Sequence, residues 1–415
     1  MRLFPESWRV EPASSVCSEI VDCLNKTAPT VEMDTGLKMI RTTNVKSGRI
    51  NLDDVRFVEE KVFRKWTRRL LPRRNDIVLT REAPLGEVGL LRSDDKAMLG
   101  QRTMVYRADG KNLDQIFLYY SLLGPVLQAQ IKTLGSGSTV EHMRVPDAET
   151  LAIPLPRLAE QRKVAALLSA YDDLIENNRR RIALLERMAE QLYREWFVRF
   201  RFPGYQQAKF AKGLPVDWKL STLGEIATFV MGQSPSSEFY NESGEGLPFH
   251  QGVGTYGSRF PNNIVFCSVD GRKAKAGDIL FSVRAPVGRL NIADCDVIIG
   301  RGLAAIRHKQ GFNSYLFNLL KVAFANEDII GNGAIFNSVG KDELSKFAVF
   351  SPPQPLVRRF DEMACSIEKQ LEVLTESIRN LVKTRDLLLP RLISGKLRVD
   401  ELDIQFPPSM QTERA

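Results

Sequence analysis

One feature limits what this chain can fold into more than any other: a heptad seam that occurs twice. The first run is Val164, Leu168, Tyr171, Ile175, Asn178, Ile182, Leu185, Ala189, Leu192 and Trp196, in steps that alternate four and three. That is the coiled-coil period, narrower than the stripe of an ordinary surface helix. Adding 196 to each number gives Phe360, Ala364, Ile367, Leu371, Leu374, Ile378, Leu381, Arg385, Leu388 and Leu392, eight of them large and apolar. Two runs in one register predict a duplicated unit. A helix from Arg157 to Phe200 would span roughly 65 Å at about 1.5 Å per residue, and its seam needs a partner. The second run has matching length and lies in the same chain. The expected arrangement is therefore an intramolecular antiparallel pair, with Asn178 and Arg385 as breaks that fix register or mark where the helices splay.

The rest of the chain repeats as well. Residues 1–156 read as a mixed α/β domain, with strand signals at Lys38–Val45 and Asn75–Arg81 and a turn followed by a strand at Ala83–Gly89. A helical segment over Leu113–Ala129 is bent or divided by Gly124 and Pro125, and Leu151–Pro156 is a short strand. A long helix over 157–203 stops at Pro203 and Gly204. In the second domain, 204–354, "GDILFSVRAPVGRL" (Gly277–Leu290) matches "NDIVLTREAPLGEV" (Asn75–Val88) at an offset of 202. Likewise "GNGA" (Gly331–Ala334) matches "GSGS" (Gly135–Ser138) at 196. Matched anchors with unequal loops suit two related scaffolds of different specificity. The second helix, 355–400, carries Pro390, which predicts a kink or short break before an end at Ser394 and Gly395. The tail, 401–415, is expected to be loose.

At 415 residues the chain exceeds one ordinary core, and its formal charge of +8 suits a polyanionic partner without proving one. The five cysteines are scattered without metal-ligand spacing, and three distant histidines leave little for a histidine-based metal or acid–base site. With no run of 18 apolar residues and no signal peptide in the sequence given, a cytoplasmic protein without membrane contact is expected. Between the first two strands lie Lys61, Arg64, Lys65, Arg68, Arg69, Arg73 and Arg74, interleaved with Phe63 and Trp66. Such a run could track a phosphate backbone or form a solvated basic face. No P-loop, glycine-rich cofactor loop or nuclease signature is present. "SPPQ" (Ser351–Gln354) resembles the Pro-Pro motif of adenine methyltransferases but lacks the preceding Asn or Asp and the aromatic partner. It reads as a proline linker leading into the second helix.

In order and in duplicate, these motifs resemble the specificity subunit of type I restriction-modification enzymes over nearly the whole chain. The resemblance rests on "MGQSP" (Met231–Pro235), the two "DI…APxG" segments, "GSGST" (Gly135–Thr139), "IPLPRLAEQRKV" (Ile153–Val164) and "LLLPRLISGKLRV" (Leu387–Val399). One departure is "SPPQPLVRRF" (Ser351–Phe360), which lacks the Glu-Gln of Glu160–Gln161. The resemblance implies two target-recognition domains, one at each end of an antiparallel helical spacer, related by a pseudo-two-fold axis. Each would read one part of a bipartite, asymmetric DNA site. It implies no catalysis and no cofactor in this chain. Two modification subunits would use S-adenosylmethionine on adenine N6, and restriction subunits would add an ATP- and Mg²⁺-dependent motor and nuclease. A stand-alone nucleic-acid scaffold, an adaptor of a methylation-only system and a self-contained nuclease or methyltransferase are the competing readings.

No code transfers base contacts between members, so candidates come from residue type and loop position. In the first domain they are Arg41, Thr42, Thr43, Asn44, Lys46, Arg81 and Arg102. In the second they are His250, Gln251, Arg259, Arg284 and Arg301. Phosphate contacts are expected from the run Lys61–Arg74 and from Arg272, Lys273 and Lys275. The loops Gly135–Thr139 and Gly331–Ala334 either approach the DNA backbone or only shape turns.

Overall fold

The computed structural model describes residues 4–135, 141–325, 329–330, 334–335 and 338–411. Most of the loop Gly135–Thr139, and 331–333 of the loop Gly331–Ala334, lie outside the described residues. The chain divides into two compact units, Met1–Asn177 with Ser377–Ala415, and Asn178–Glu376. The division falls inside both long helices, so each unit holds one half of each.

The first unit is built on a six-stranded sheet in the order Cys17–Asp22, Thr103–Ala108, Ile77–Arg81, Leu85–Leu90, Gly48–Ile50, Val45–Lys46. Its central strand is buried on both faces, which explains an apolar run without alternation. Ile77 and Leu79 face helices Gln115–Leu123 and Pro125–Leu134, whereas Val78 faces Ile40 and Leu99 of a smaller three-stranded sheet. Gly124 divides the two helices as expected, and for a packing reason: a Cβ there would lie 1.7 Å from Ile393 Cδ1 of the second long helix.

The second unit repeats the plan. A four-stranded antiparallel sheet runs Ala227–Met231, Leu303–His308, Ile279–Ser282, Leu290–Ile292. Ile279 and Phe281 pack toward the helices, and Leu280 packs toward Val297 and Ile299 of a five-stranded sheet. The "DI…APxG" motif performs the same task in both units. Thr80 Oγ1 donates to Pro84 O at 2.6 Å and accepts from Glu87 N at 2.9 Å; Ser282 Oγ does so with Pro286 O and Arg289 N at 2.6 and 2.8 Å. Both turns contain a cis Ala-Pro bond, and Asp76 and Asp278 hold Arg107 and Arg307.

The long helices are Leu158–Tyr193, followed by a π-helical turn at Arg194–Val198, and Gln354–Ile393. None of the twenty seam positions is exposed. In the first unit Val164 and Leu168 share a core with Leu392 and Ile393, and Asp172 bonds Arg385. In the second, Tyr193 and Trp196 pack on Phe360 at 5.7 and 5.8 Å. Within each unit, then, the first helix ascends as the second descends. The seam break at Arg385 is an ion pair with the facing helix.

Three expectations need correction. Of the kink or short break expected at Pro390, the break does not occur: the second helix continues to Ile393, next to the expected end at Ser394 and Gly395, with its last turn anchored in the core through Leu392 and Ile393. The tail is not loose throughout: Ile404 and Met410 pack against the first core, and Pro408–Gln411 is helical. The segment Lys38–Val45 is not one strand but Lys38–Ile40, a 3-10 turn Thr42–Asn44 and Val45–Lys46. The turn forms because Asn44 Oδ1 accepts from Arg41 N at 2.9 Å and competes with the ladder.

The missing Glu-Gln pair also finds its explanation. Gln161 is fully buried, accepting from Asp114 N at 2.8 Å and donating to Asn112 O and Pro156 O. In the second unit Val357 stands at the equivalent position, and Asp361, one turn on, accepts from Tyr315 N at 2.9 Å instead.

Candidate nucleic-acid interface

In each unit a parallel strand pair sends out two loops side by side. Lys38–Ile40 runs parallel to Ala97–Leu99, with Ile40 opposite Leu99; Leu247–His250 runs parallel to Val297–Ile299, with His250 opposite Ile299. Both pairs end identically, Gly100 N donating to Ile40 O and Gly300 N to His250 O at 2.8 Å. Only glycine fits: a Cβ at Gly100 would stand 2.7 Å from Ile40 O, and one at Gly300 would stand 2.9 Å from Gln251 Cα.

A third segment closes on the same edge. In the second unit it is "MGQSP". A Cβ at Gly232 would lie 2.1 Å from Gly300 O, Gln233 N donates to Ile299 O at 3.0 Å, and Ser234 Oγ bonds Gln251 Oε1 at 2.7 Å. Arg301 N donates to Ser234 Oγ at 3.2 Å. In the first unit, Thr27 Oγ1 donates to Gln101 Oε1 at 3.1 Å. The result is a rigid edge with exposed amides and guanidinium groups, the donors and acceptors that read base edges.

The candidate residues divide accordingly. Gln251 and Arg301 meet at the edge in the second unit, both exposed. Thr43 is exposed on the 3-10 turn after Ile40 and Lys46 on the short strand that follows; Arg102, with backbone φ +70°, stands beside Gln101, its side chain half-exposed and paired to Glu82 at 3.4 Å. Thr42 is half-buried. Arg41 spends its guanidinium on Asn44 Oδ1 and Asp54 O, at 3.3 and 3.0 Å. Arg284 is exposed, with its backbone bridged to Ser338.

Four candidates turn inward and leave the set of free contacts. Asn44 is buried on Arg41 and Asp54 O. His250 is fully buried between Thr255 Oγ1 at 2.8 Å and Asn263 Oδ1 at 3.1 Å, and burial pulls its imidazole below the usual range. Arg259 is buried against Glu186 and Glu368. Arg81 binds Asp22 Oδ2 at 2.6 Å and Met143 O at 2.9 Å. In each case a hydrogen-bond or ion-pair partner satisfies a polar group that residue type alone assigned to the surface, a local one for Asn44 and His250 and one distant in sequence for Arg81 and Arg259.

The basic run folds as helix Glu60–Trp66 and a following loop. Lys61, Lys65, Arg68 and Arg73 are exposed and form no ion pair among the described residues, and Lys65 Nζ lies 5.6 Å from the Trp66 ring centre. Arg64, Arg69 and Arg74 are paired to Glu60, Asp22 and Asp94. In the second unit Arg272, Lys275 and the Asp270-paired Lys273 are exposed. Among the described residues no group of three or more His, Cys, Asp and Glu could hold a metal, and no helix is long and apolar enough to cross a membrane.

The family model described as the type I restriction modification DNA specificity domain matches this chain twice, over residues 24–187 and 215–356. The chain belongs to the type I restriction-modification specificity family. Specificity subunits are the non-catalytic, DNA-recognising members of type I systems, acting with methyltransferase and restriction partners. The chain is similar to a putative type I restriction enzyme MjaX specificity subunit of Methanocaldococcus jannaschii, 27% identical with 95% of each chain covered. The MjaIX specificity subunit of the same organism is 26% identical over 84% of this chain and 83% of its own. The fold resembles the crystal structure of the type I S subunit from M. genitalium, at a TM-score of 0.54, 18% identity and coverage of 94% and 98%.

For a DNA-recognising chain, Gln101, Gln233 and Ser234 join the edge although residue type and loop position did not select them. The sequence did carry a signal for two of them, since "MGQSP" stood out as a motif before its role was visible. Gln101 had none, because its position depends on the parallel pairing of strands about 60 residues apart.

Proposed function

We propose that each unit reads one part of a bipartite, asymmetric DNA site, with the strand-end edge as its reading surface and the long helices as the ruler between the parts. The observation that carries this reading is the recurrence of one edge in both units, with the same glycine contact and different exposed side chains. Similar scaffolds with different readers suit an asymmetric site. Lys61, Lys65, Arg68 and Arg73, with Arg272 and Lys275, are assigned to phosphates, which position without specifying. In this reading the helix pair also seats two modification subunits. These would methylate adenine N6 from S-adenosylmethionine, one on each strand, and a restriction subunit would add ATP- and Mg²⁺-dependent translocation and cleavage in the cytoplasm.

Mapping methylated adenines genome-wide in cells carrying the intact system tests this directly. A two-part motif with a fixed unread gap is expected, together with co-purification of two modification subunits per chain. A continuous motif would overturn the bipartite reading. Full DNA affinity and no co-purifying methyltransferase would make the chain a stand-alone binder.

A further inference from the structure

The loop that begins at the second unit's reading edge ends on both long helices. Gln251 leaves the strand Leu247–His250 at that edge, and the chain then folds into a tight structure before returning at Asn263. His250 bridges its two ends through Thr255 and Asn263, Asn262 N donates to Thr255 O at 2.7 Å, and Gly257 N donates to Phe260 O at 3.1 Å. Gly257 admits no side chain, since a Cβ would stand 2.4 Å from Phe260 O. At the far end is Arg259, 4% exposed. One guanidinium nitrogen faces Glu186 of the first long helix at 3.6 Å, another bonds Glu368 of the second, and the plane lies 5.1 Å from the Phe317 ring centre.

A buried arginine held by two carboxylates from two helices is costly to assemble and strongly destabilised by removing one partner. Its forked, planar donors can satisfy both carboxylates only in one orientation. The first unit has a similar seat of opposite polarity. There Asp172 of the first long helix, buried, takes Arg92 from the domain at 3.1 Å, Tyr120 at 2.7 Å and Arg385 of the second long helix at 2.7 Å. Each recognition domain is thus keyed to both helices by one buried charge cluster.

We infer that Arg259 is a positioning residue: it fixes the angle at which the second unit's reading edge sits on the helix pair, and so selects the gap length of the DNA site. This rests on the bipartite reading above. One base pair added to the gap turns one half-site by about 35° and shifts it about 3.4 Å. A domain locked by Arg259 rejects that change, whereas a domain free to rock on the helices accommodates it.

The test uses the full chain with its methyltransferase partners and duplexes carrying the mapped site with the native gap or one base pair more or less. The parent is expected to methylate the native gap at least about tenfold faster than either neighbour, the cost of a poor base match. Arg259→Met with Glu186→Gln and Glu368→Gln removes the cluster without stranding a charge. It is expected to reduce that ratio about fivefold or more, while native-gap rate, half-site sequence preference and melting temperature stay close to parental. Arg259→Lys keeps the charge but loses the fork, and an intermediate ratio is expected. If either variant folds with the parental gap ratio, the positioning role is refuted. Should the triple variant not fold, the ratio of Arg259→Lys decides alone. A parent indifferent to gap length would instead refute the ruler reading itself, before any variant is compared.

Discussion

Replacing Asp172 by alanine tests whether the buried charge cluster of the first unit holds domain and helices together. Its carboxylate accepts from Tyr120 Oη at 2.7 Å, Arg385 Nη1 at 2.7 Å and Arg92 Nη2 at 3.1 Å. Hydrogen bonds to charged groups contribute about 1.5–3 kcal/mol each, but the three losses do not add here. Arg385 keeps Asp386 at 2.8 Å, Arg92 keeps Asp173 at 3.6 Å, and Tyr120 has Ser169 Oγ at 3.5 Å. The expected loss is therefore that of one broken buried pair, about 3–4 kcal/mol. Changing both Asp172 and Arg385 to leucine instead replaces the charged pair by apolar side chains and makes the seam apolar at 385. The double variant should lie within about 1.5 kcal/mol of the parent, well short of the sum of the two single losses. Hydrogen exchange measured on peptides from 162–177 and 379–393 reports this locally, which matters because a two-unit chain need not unfold in one step. A loss below about 1 kcal/mol for Asp172→Ala, or single losses that simply add in the double variant, would refute the reasoning.

Four further outcomes follow. Gln161→Ala should destabilise the first unit by about 2–3 kcal/mol, because it removes the hydrogen bonds of Gln161 to Asp114 N and to the carbonyls of Asn112 and Pro156; urea unfolding checks this. Removing the charges of Lys61, Lys65, Arg68 and Arg73 together should lower the salt slope of DNA affinity by about 0.9 for each phosphate they neutralise, without changing sequence preference; an unchanged slope would return the run to plain surface solvation. Inserting one heptad at matching points of both long helices adds about 10.5 Å and should lengthen the recognised gap by about three base pairs with both half-sites kept, as methylation mapping would show. His308 is packed between Phe312 and Tyr315, and burial brings its imidazole down to about 4. Above pH 6.5 it is neutral folded and unfolded alike; between pH 6.5 and 4 the unfolded chain takes the proton first, so stability falls as pH falls. His308→Gln should remove roughly 2 kcal/mol of that decline after allowing for screening, as read by hydrogen exchange over 303–323 at both pH values.

The edge in each unit was only partly legible. Gln251, Arg301 and Thr43 were reachable because polar residues beside apolar strand signals are natural readers. Asn44, His250 and Arg259 look the same in sequence yet are buried. For Arg259 the difference lies in Glu368, 109 residues away, whose proximity no local pattern encodes. Gln101 and Ser234 acquire meaning only when parallel strands bring their loops together.

Local periodicity determined the two seams, and with them the duplication, because a four-three alternation survives any choice of partner. Turn chemistry likewise settled the paired "DI…APxG" segments, where a hydroxyl and a fixed glycine act within a few residues. Which face each strand presents, which charges are buried and which loops share an edge were decided by tertiary structure alone. These depend on desolvation and on contacts between residues far apart in the chain. Arg385 marks the boundary between the two: the sequence exposes it as an irregularity in an apolar seam, and only the fold, by placing Asp172 opposite, makes it a lock.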